Sequence, residues 1–242
     1  MIGSNTKKNN SNNNYLSSHL IKIEFNEDCI PHIKILTSSE YPHYYPSLAK
    51  YKNEEIFVIG GKDNVTCEVF SLKSNKWKKL KNLPAERYGC SIICDEGQKL
   101  LYLFGGLNNS TNVINYSVLK YNLKNNIEWE TLIVTSNSNL LQRAFSGHIK
   151  TKNNTVLLLG GSTGVHSETD DIIEYNITTK SANFMPFKLK KTALFISSQF
   201  FEDDEINQFF YGFDGDNVIH KLDFKGKETY DLKFDDYLIT EV

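Results

Sequence analysis

The residues of this sequence that could do chemistry are not spaced as in any known catalytic motif. The glycine pairs at 60–61, 105–106 and 160–161 are not phosphate-binding loops, because no GxGxxG pattern, and no GxxxxGK pattern followed by Ser or Thr, precedes a helical segment. GxSxG, HExxH and EF-hand patterns do not occur either. The acidic run at 202–205 lies between two strand-like segments, 193–198 and 208–211, so we expect a solvated hairpin turn rather than a cation site. The sequence therefore predicts no catalytic residues and no cofactor.

The four cysteines do not predict a metal site. Cys29 and Cys67 stand alone. Cys90 and Cys94 have CxxxC spacing, but no second pair or nearby histidine completes a zinc ligand set. We expect free, mostly buried thiols in a reducing compartment and no bound metal.

Composition and charge argue against several classes of protein. The chain has 27 Lys and Arg against 29 Asp and Glu, a net charge of -2, so no overall basic field attracts nucleic acid or an anionic membrane. No apolar run approaches the roughly 18 residues of a membrane-spanning helix, and the polar N-terminal segment lacks the apolar core of a signal peptide. The 40% hydrophobic content is enough for a packed core. We expect one globular cytoplasmic domain with neither nucleic acid nor membrane as partner.

An internal repeat of about 50 residues organises the chain. An apolar run that ends in a glycine pair occurs three times, and a weaker copy with one glycine follows at 209–213. The first glycines of the four copies are Gly60, Gly105, Gly160 and Gly212. Short apolar runs of this kind are typical of buried strands, and the glycines permit a sharp turn with positive φ where no side chain fits. Each copy therefore predicts a strand followed by a tight turn.

Each repeat continues with a pair of spaced aromatic residues and begins with a short strand-like segment. The aromatic pairs are Phe70 with Trp77, Tyr121 with Trp129, and Tyr175 with Phe184, while His220 and Tyr230 stand in those places in the last copy. The repeat unit is therefore four short strands that cannot bury both faces alone, so several units must pack side by side. No helical period competes with this pattern.

These residues resemble the kelch repeat, in which an apolar strand and Gly-Gly precede a spaced Tyr and Trp in each blade of a β-propeller. Ser146-Gly147-His148 is similar to the Gly-His-Ser region that often precedes the glycine pair in this family, so we expect His148 to be structural. The resemblance implies an all-β, kelch-type propeller of about five four-stranded blades. The complete blades are assigned to 41–83, 87–132, 143–187 and 191–233.

The two ends of the chain are assigned to one further, partial blade. Residues 1–36 include an Asn-rich loop at 5–14 and parallel the second half of a blade, with Ile33 and Ile35 on its outer strand. A strand within 234–242 would close a five-bladed ring by joining this first blade. The alternative is that the chain forms part of a larger ring.

Four residues at the starts of successive blades give the sharpest functional hypothesis. Tyr45, Arg87, Arg143 and Lys191 occupy places that we interpret as equivalent, so the three cations would converge at one mouth of the central channel. In kelch proteins that recruit acidic peptides, arginines at the like position line the pocket, which implies a basic mouth for a protein or acidic peptide partner. The alternative is that each basic residue pairs within its own blade.

The function predicted is therefore a non-catalytic protein interaction module or scaffold. The second hypothesis is a carbohydrate-directed enzyme, since some kelch proteins are sugar mutarotases or oxidases. The oxidase class would need Tyr, His and Cys residues as copper ligands, and the sequence pattern does not identify such a set. A compact pocket with perturbed ionisable groups would favour the enzyme, and a broad open surface would favour binding.

Overall fold

A computed structural model describes residues 20–25, 31–125, 127–164, 167–195, 201–204, 209–213 and 218–232. These residues confirm the all-β prediction: they contain no α-helix and one short 3₁₀ turn, Ser138–Leu141. No helix among them is long and apolar enough to cross a membrane. The Asn-rich loop at 5–14 and the closing strand predicted within 234–242 lie outside the described residues.

The first half of the described chain forms a hairpin and two four-stranded antiparallel sheets. The hairpin pairs β1 (Ile21–Phe25) with β2 (Pro31–Ile35). Sheet I contains β3 (Ser47–Tyr51), β4 (Glu55–Gly61), β5 (Asn64–Ser71) and β6 (Lys76–Lys79). Sheet II contains β7 (Ser91–Asp95), β8 (Leu100–Phe104), β11 (Val118–Asn122) and β12 (Trp129–Leu132), and a small hairpin of β9 (Leu107–Asn108) and β10 (Val113–Ile114) connects β8 to β11.

Two further sheets repeat this plan. Sheet III contains β13 (Gly147–Lys150), β14 (Thr155–Leu159), β17 (Asp171–Asn176) and β18 (Ser181–Lys188), with the small hairpin of β15 (Ser162–Gly164) and β16 (Ser167–Glu168) between β14 and β17. Sheet IV contains β19 (Phe201–Asp204), β20 (Phe209–Phe213), β21 (Ile219–Asp223) and β22 (Glu228–Leu232). In each sheet the four strands pair in chain order.

The sheets pack face to face, and their first strands lie next to each other. One apolar layer joins sheets I and II, a second joins sheets II and III, and a third joins sheet III to residues of sheet IV. Ser47 Oγ donates to the carbonyl oxygen of Cys90, and Ser91 Oγ donates to that of Ser146, both at 3.0 Å. Sheets II and III are thus covered on both faces, which explains why their second strands are continuously apolar.

Strand register confirms two of the aromatic pairs and corrects the other two. Phe70 pairs directly with Trp77, and Tyr121 with Trp129, with ring centroids 5.1 and 4.9 Å apart. In sheet III, however, the partner of Tyr175 is Ala182, and Phe184 lies two residues further on with 57% of its surface exposed. In sheet IV the residues that pair at the equivalent position are Leu222 and Thr229. The assignment of His220 and Tyr230 to that position is therefore wrong.

Sheet IV departs from the predicted boundaries in two other places. Gly212 lies inside β20 and pairs with His220, so it is not the glycine of a turn. Residues 202–204 of the acidic run belong to strand β19, so the hairpin turn expected there is wrong, while residue 205 lies outside the described residues. The last repeat lacks the second glycine and the Tyr and Trp of the repeat pattern, so its sequence pattern alone does not fix the strand register.

Candidate functional site

The segments that precede the first strands hold the sheets together and define which positions are equivalent. The amide of the second glycine in each pair donates to a backbone carbonyl of the next segment: Gly61 to Arg87 at 3.2 Å, Gly106 to Arg143 at 2.7 Å, and Gly161 to Ala193 at 2.8 Å. Ala193, not Lys191, therefore stands at the position of the two arginines. Lys191 lies two residues earlier and is half-buried.

Three of these segments also send a side chain back to the first glycine of their own sheet. Arg87 Nη1 donates to the carbonyl oxygen of Gly105 at 3.3 Å, and Arg143 Nη1 to that of Gly160 at 2.8 Å. In sheet I, His43 Nδ1 lies 2.7 Å from the carbonyl oxygen of Gly60. The residue equivalent to the arginines is thus His43, and Tyr45 lies two positions after it.

The two arginines are inside the protein, contrary to the expectation that they reach into solvent. Each side chain is about 4% exposed. The turn at the glycine pair takes a buried carbonyl out of the strand ladder, and a guanidinium donates a hydrogen bond to it. The Gly160 oxygen also accepts one from Ser146 Oγ at 3.2 Å. Burial lowers the pKa of Arg143 to about 10, although Asp171, 3.8 Å from Nη2, acts in the opposite direction. Burial also lowers the pKa of Arg87. Both guanidiniums therefore hydrogen-bond within the fold and do not reach into solvent.

His43 belongs to a buried polar chain that has no nucleophilic geometry. Its Nε2 lies 3.0 Å from Glu68 Oε2, and the hydroxyl of Ser39 donates to the same carboxylate oxygen. The carboxylate stands between the hydroxyl and the ring, so the imidazole cannot take the serine proton as it does in a catalytic triad. The His43 ring thus contacts the Gly60 carbonyl and the Glu68 carboxylate in the place that a guanidinium takes in the next two sheets.

Four half-buried aromatic rings meet where the segments before β3, β7 and β13 converge, and we name Tyr44, Tyr45, Tyr88 and Phe145 the aromatic cluster. The rings of Tyr45 and Tyr88 are 6.3 Å apart and nearly parallel. Phe145 meets both edge-on, at 6.0 and 5.8 Å, and Tyr44 lies 4.2 Å from Tyr45. Three sheets therefore contribute to one aromatic surface.

The backbone conformation of these segments determines where the aromatic rings lie. Tyr45, Gly89 and Phe145 occupy the same place in three segments, and all three are left-handed, with φ of 52°, 63° and 56°. A Cβ on Gly89 would lie 2.8 to 2.9 Å from the ring of Phe145, so only glycine lets that ring lie over the segment. The amide of Phe145 donates to the carbonyl oxygen of Gly89 at 2.6 Å, which fixes the two segments to each other.

A cavity of about 220 Å³ adjoins the cluster, with Phe145 in its wall. It lies between the hairpins β9–β10 and β15–β16, and we call this end of the molecule the loop face. Backbone bonds of Tyr88 with Leu107, and of Ala144 with Ser162, hold both hairpins at this end. None of the described residues that line the cavity is ionisable: Leu107, Asn112, Val113, Ile114, Gln142, Ala144, Phe145, Ser162, Thr163 and Gly164.

Two carboxylates act on Tyr88 of the cluster. Burial raises the pKa of Tyr88, and the carboxylates of Asp63 and Glu86 raise it further. Asp63 Oδ1 accepts a bond from the Asn109 side chain at 2.7 Å, and Glu86 Oε1 accepts one from the Ser110 amide at 2.7 Å. These bonds hold both carboxylates in place on the loop face.

The opposite end of the first strands has a smaller cavity of about 150 Å³ between β3, β7 and β13. Lys50, Cys94 and Lys150 line it from equivalent positions. Burial raises the pKa of the Cys94 thiol to about 12, so it stays protonated and is a poor nucleophile at neutral pH. Within the described part of the chain, no group of three His, Cys, Asp or Glu residues could hold a metal ion.

Of the four predicted site residues, the structure brings only Tyr45 into the aromatic cluster. Arg87 and Arg143 lie in the interior, and Lys191 is displaced from the equivalent position. Sequence reasoning missed Tyr88 and Phe145. For Phe145 a signal was present, since an aromatic residue stands two positions after His43 and after Arg143. Tyr88 directly follows Arg87, so the same spacing does not find it.

The comparisons with known proteins do not assign the chain to a family. No protein-family model matches it. No curated protein matches it either.

Proposed function

We propose that this protein is a non-catalytic protein-binding module, built as a kelch-type β-propeller of about five blades, that holds its partner on the loop face. The side-by-side sheets, the adjacent first strands and the repeated glycine-pair contacts support the propeller arrangement.

The observation that carries the binding proposal is the aromatic cluster. Tyrosine and phenylalanine rings that stay partly exposed at the junction of three sheets provide apolar area at little conformational cost, which is what binding hot spots use. Rigid backbone bonds on either side of Phe145, to Gly89 and from Phe195, preorganise this surface. A partner would therefore bind without first ordering the loop face.

The described lining of the cavity favours binding over catalysis. A general acid or base needs an ionisable side chain within reach of the reacting atom. The described lining of the cavity offers amides, hydroxyls and apolar groups instead. Amide and hydroxyl groups beside a phenyl ring also suit a sugar, which is the observation that favours the carbohydrate-directed alternative.

The test is quantitative affinity capture with the whole chain as bait. We expect proteins captured by the wild type to be lost with the double variant Tyr45→Ala/Tyr88→Ala and retained with Ile133→Ala, which changes a side chain that is 82% exposed on another surface. Urea unfolding of both variants checks that the fold is kept. Identical captured sets for all three baits would overturn the proposal, and turnover of a sugar by the wild type would replace it with the enzyme alternative.

A further inference from the structure

The cavity beside the aromatic cluster has the size of one large apolar side chain. Its volume of about 220 Å³ exceeds the roughly 150 Å³ that suffices to bind benzene in an engineered protein cavity. It falls below the roughly 300 to 1,000 Å³ of sites for small organic ligands. Leu107, Ile114 and Phe145 give it apolar walls, and Val113 on its rim is 53% exposed. An inserted leucine, methionine or phenylalanine side chain would cover this apolar surface.

The cavity and the cluster form one continuous surface, because Phe145 belongs to both. The ring centroids of Tyr45 and Tyr88 lie within 6.0 Å of the Phe145 centroid. An extended chain advances by about 3.3 to 3.6 Å per residue. A peptide with one side chain in the cavity would therefore place the next one or two residues over the tyrosines.

The carboxylates beside the tyrosines determine which residue types of the peptide are favoured over the two rings. Asp63 is exposed and Glu86 is half-buried, and both act on the hydroxyl of Tyr88. A lysine or arginine over an aromatic ring is attracted by the ring face, and two nearby carboxylates add to that attraction. An acidic residue would instead meet like charges, and Arg87 and Arg143 are too deeply buried to bind it.

We propose that the partner of the loop face is a basic peptide segment, which inserts a large apolar side chain beside Phe145 and places an adjacent arginine or lysine on the rings of Tyr45 and Tyr88. This inference rests on the proposed function and specifies its ligand. It replaces the acidic peptide suggested by the sequence with a cationic one, because the arginines serve the interior and the carboxylates face the surface.

The experiment selects ligands for the immobilised whole chain from a displayed library of random twelve-residue peptides. We expect enrichment of sequences in which Arg or Lys adjoins Leu, Met, Ile or Phe. The best peptide is then synthesised with a fluorophore for titration, and its affinity should weaken as salt concentration rises. Peptides enriched in Asp or Glu, or no enrichment over the bare support, would overturn the inference.

Matched variants test each half of the surface. Asp63→Asn/Glu86→Gln should weaken the peptide by about tenfold or more, while Glu54→Gln, an exposed carboxylate elsewhere, should leave affinity unchanged. Thr163→Trp should fill the cavity from its exposed rim and also abolish binding, whereas Thr131→Trp, on the exposed side of β12, should not.

The outcomes separate the two proposals. Selected peptides that lack a cation but are lost with Tyr45→Ala/Tyr88→Ala would overturn the basic peptide and leave the binding function standing. Peptides that bind all of these variants equally would overturn both.

Discussion

Arg143 donates a hydrogen bond from Nη1 to the carbonyl oxygen of Gly160 at 2.8 Å. A buried charged side chain thus provides a hydrogen bond for a carbonyl at the turn of its own sheet. Arg87 does the same for Gly105, and His43 contacts Gly60 in sheet I. This repeated contact explains why a basic residue precedes three of the first strands. It also places these three side chains in the interior of the fold.

Replacing Arg143 by methionine should lower the free energy of unfolding by about 3 kcal/mol, because the Gly160 carbonyl loses a donor and Asp171 loses a buried partner. Urea denaturation measures this change. Lys78→Met, at an exposed position of β6, is the control and should change stability by less than about 0.5 kcal/mol. Equal stability of the two variants would contradict a structural role for the guanidinium.

Trp129→Ala should cost about 3 to 5 kcal/mol, because this side chain packs between sheets I and II and its Nε1 donates to the carbonyl oxygen of Lys81 at 3.1 Å. Phe184→Ala should cost far less, since that ring is more than half exposed. The comparison tests the strand register directly. Similar losses for both variants would restore the sequence assignment that treated the two residues as equivalent.

Stability should fall in mild acid because of His148. Burial lowers its pKa from 6.5 to about 4, and only a backbone interaction with Ser146 acts in the opposite direction. The unfolded chain takes up a proton below pH 6.5 and the folded protein does not, so stability is lost as the pH falls from 6.5 toward 4, by roughly 3 kcal/mol.

The measurement for His148 is the midpoint of urea unfolding between pH 7.5 and 4. His148→Leu should flatten this pH dependence, and His32→Leu, at an exposed position of β2, should leave it as in the wild type. A His148→Leu protein with the wild-type slope would show that other groups carry the effect.

Gly89→Ala should disturb the aromatic cluster, because the new Cβ would approach the Phe145 ring to 2.8 to 2.9 Å. The left-handed conformation adds about 1 kcal/mol or more of strain. We expect lower stability together with a changed near-ultraviolet circular dichroism spectrum. Gly97→Ala is the matched control, since its Cβ would meet only Asp95 Oδ1 at 3.6 Å.

The sequence by itself determined the all-β class, the strands that run up to the glycine pairs at 60–61, 105–106 and 160–161, and the pairs Phe70–Trp77 and Tyr121–Trp129. These features depend on interactions over a few residues: apolar runs favour buried strands, and glycine accepts the positive φ of the turn. Where the last repeat lost its marker residues, the same reasoning took Gly212, which lies inside a strand, for the glycine of a turn, and it misplaced the aromatic position at His220 by two residues.

Only the tertiary structure decided which side chains meet on the loop face and which are buried. The equivalence of His43 with Arg87 is fixed by the contact of each side chain with the first glycine of its own sheet, and that of Ala193 with Arg143 by backbone bonds from the preceding sheet. Local sequence does not encode these contacts. Whether a basic residue points to solvent or to a glycine carbonyl depends on how its segment is rotated against the neighbouring sheet. The same rotation that buries Arg143 turns Phe145, two residues later, onto the surface beside Tyr45 and Tyr88.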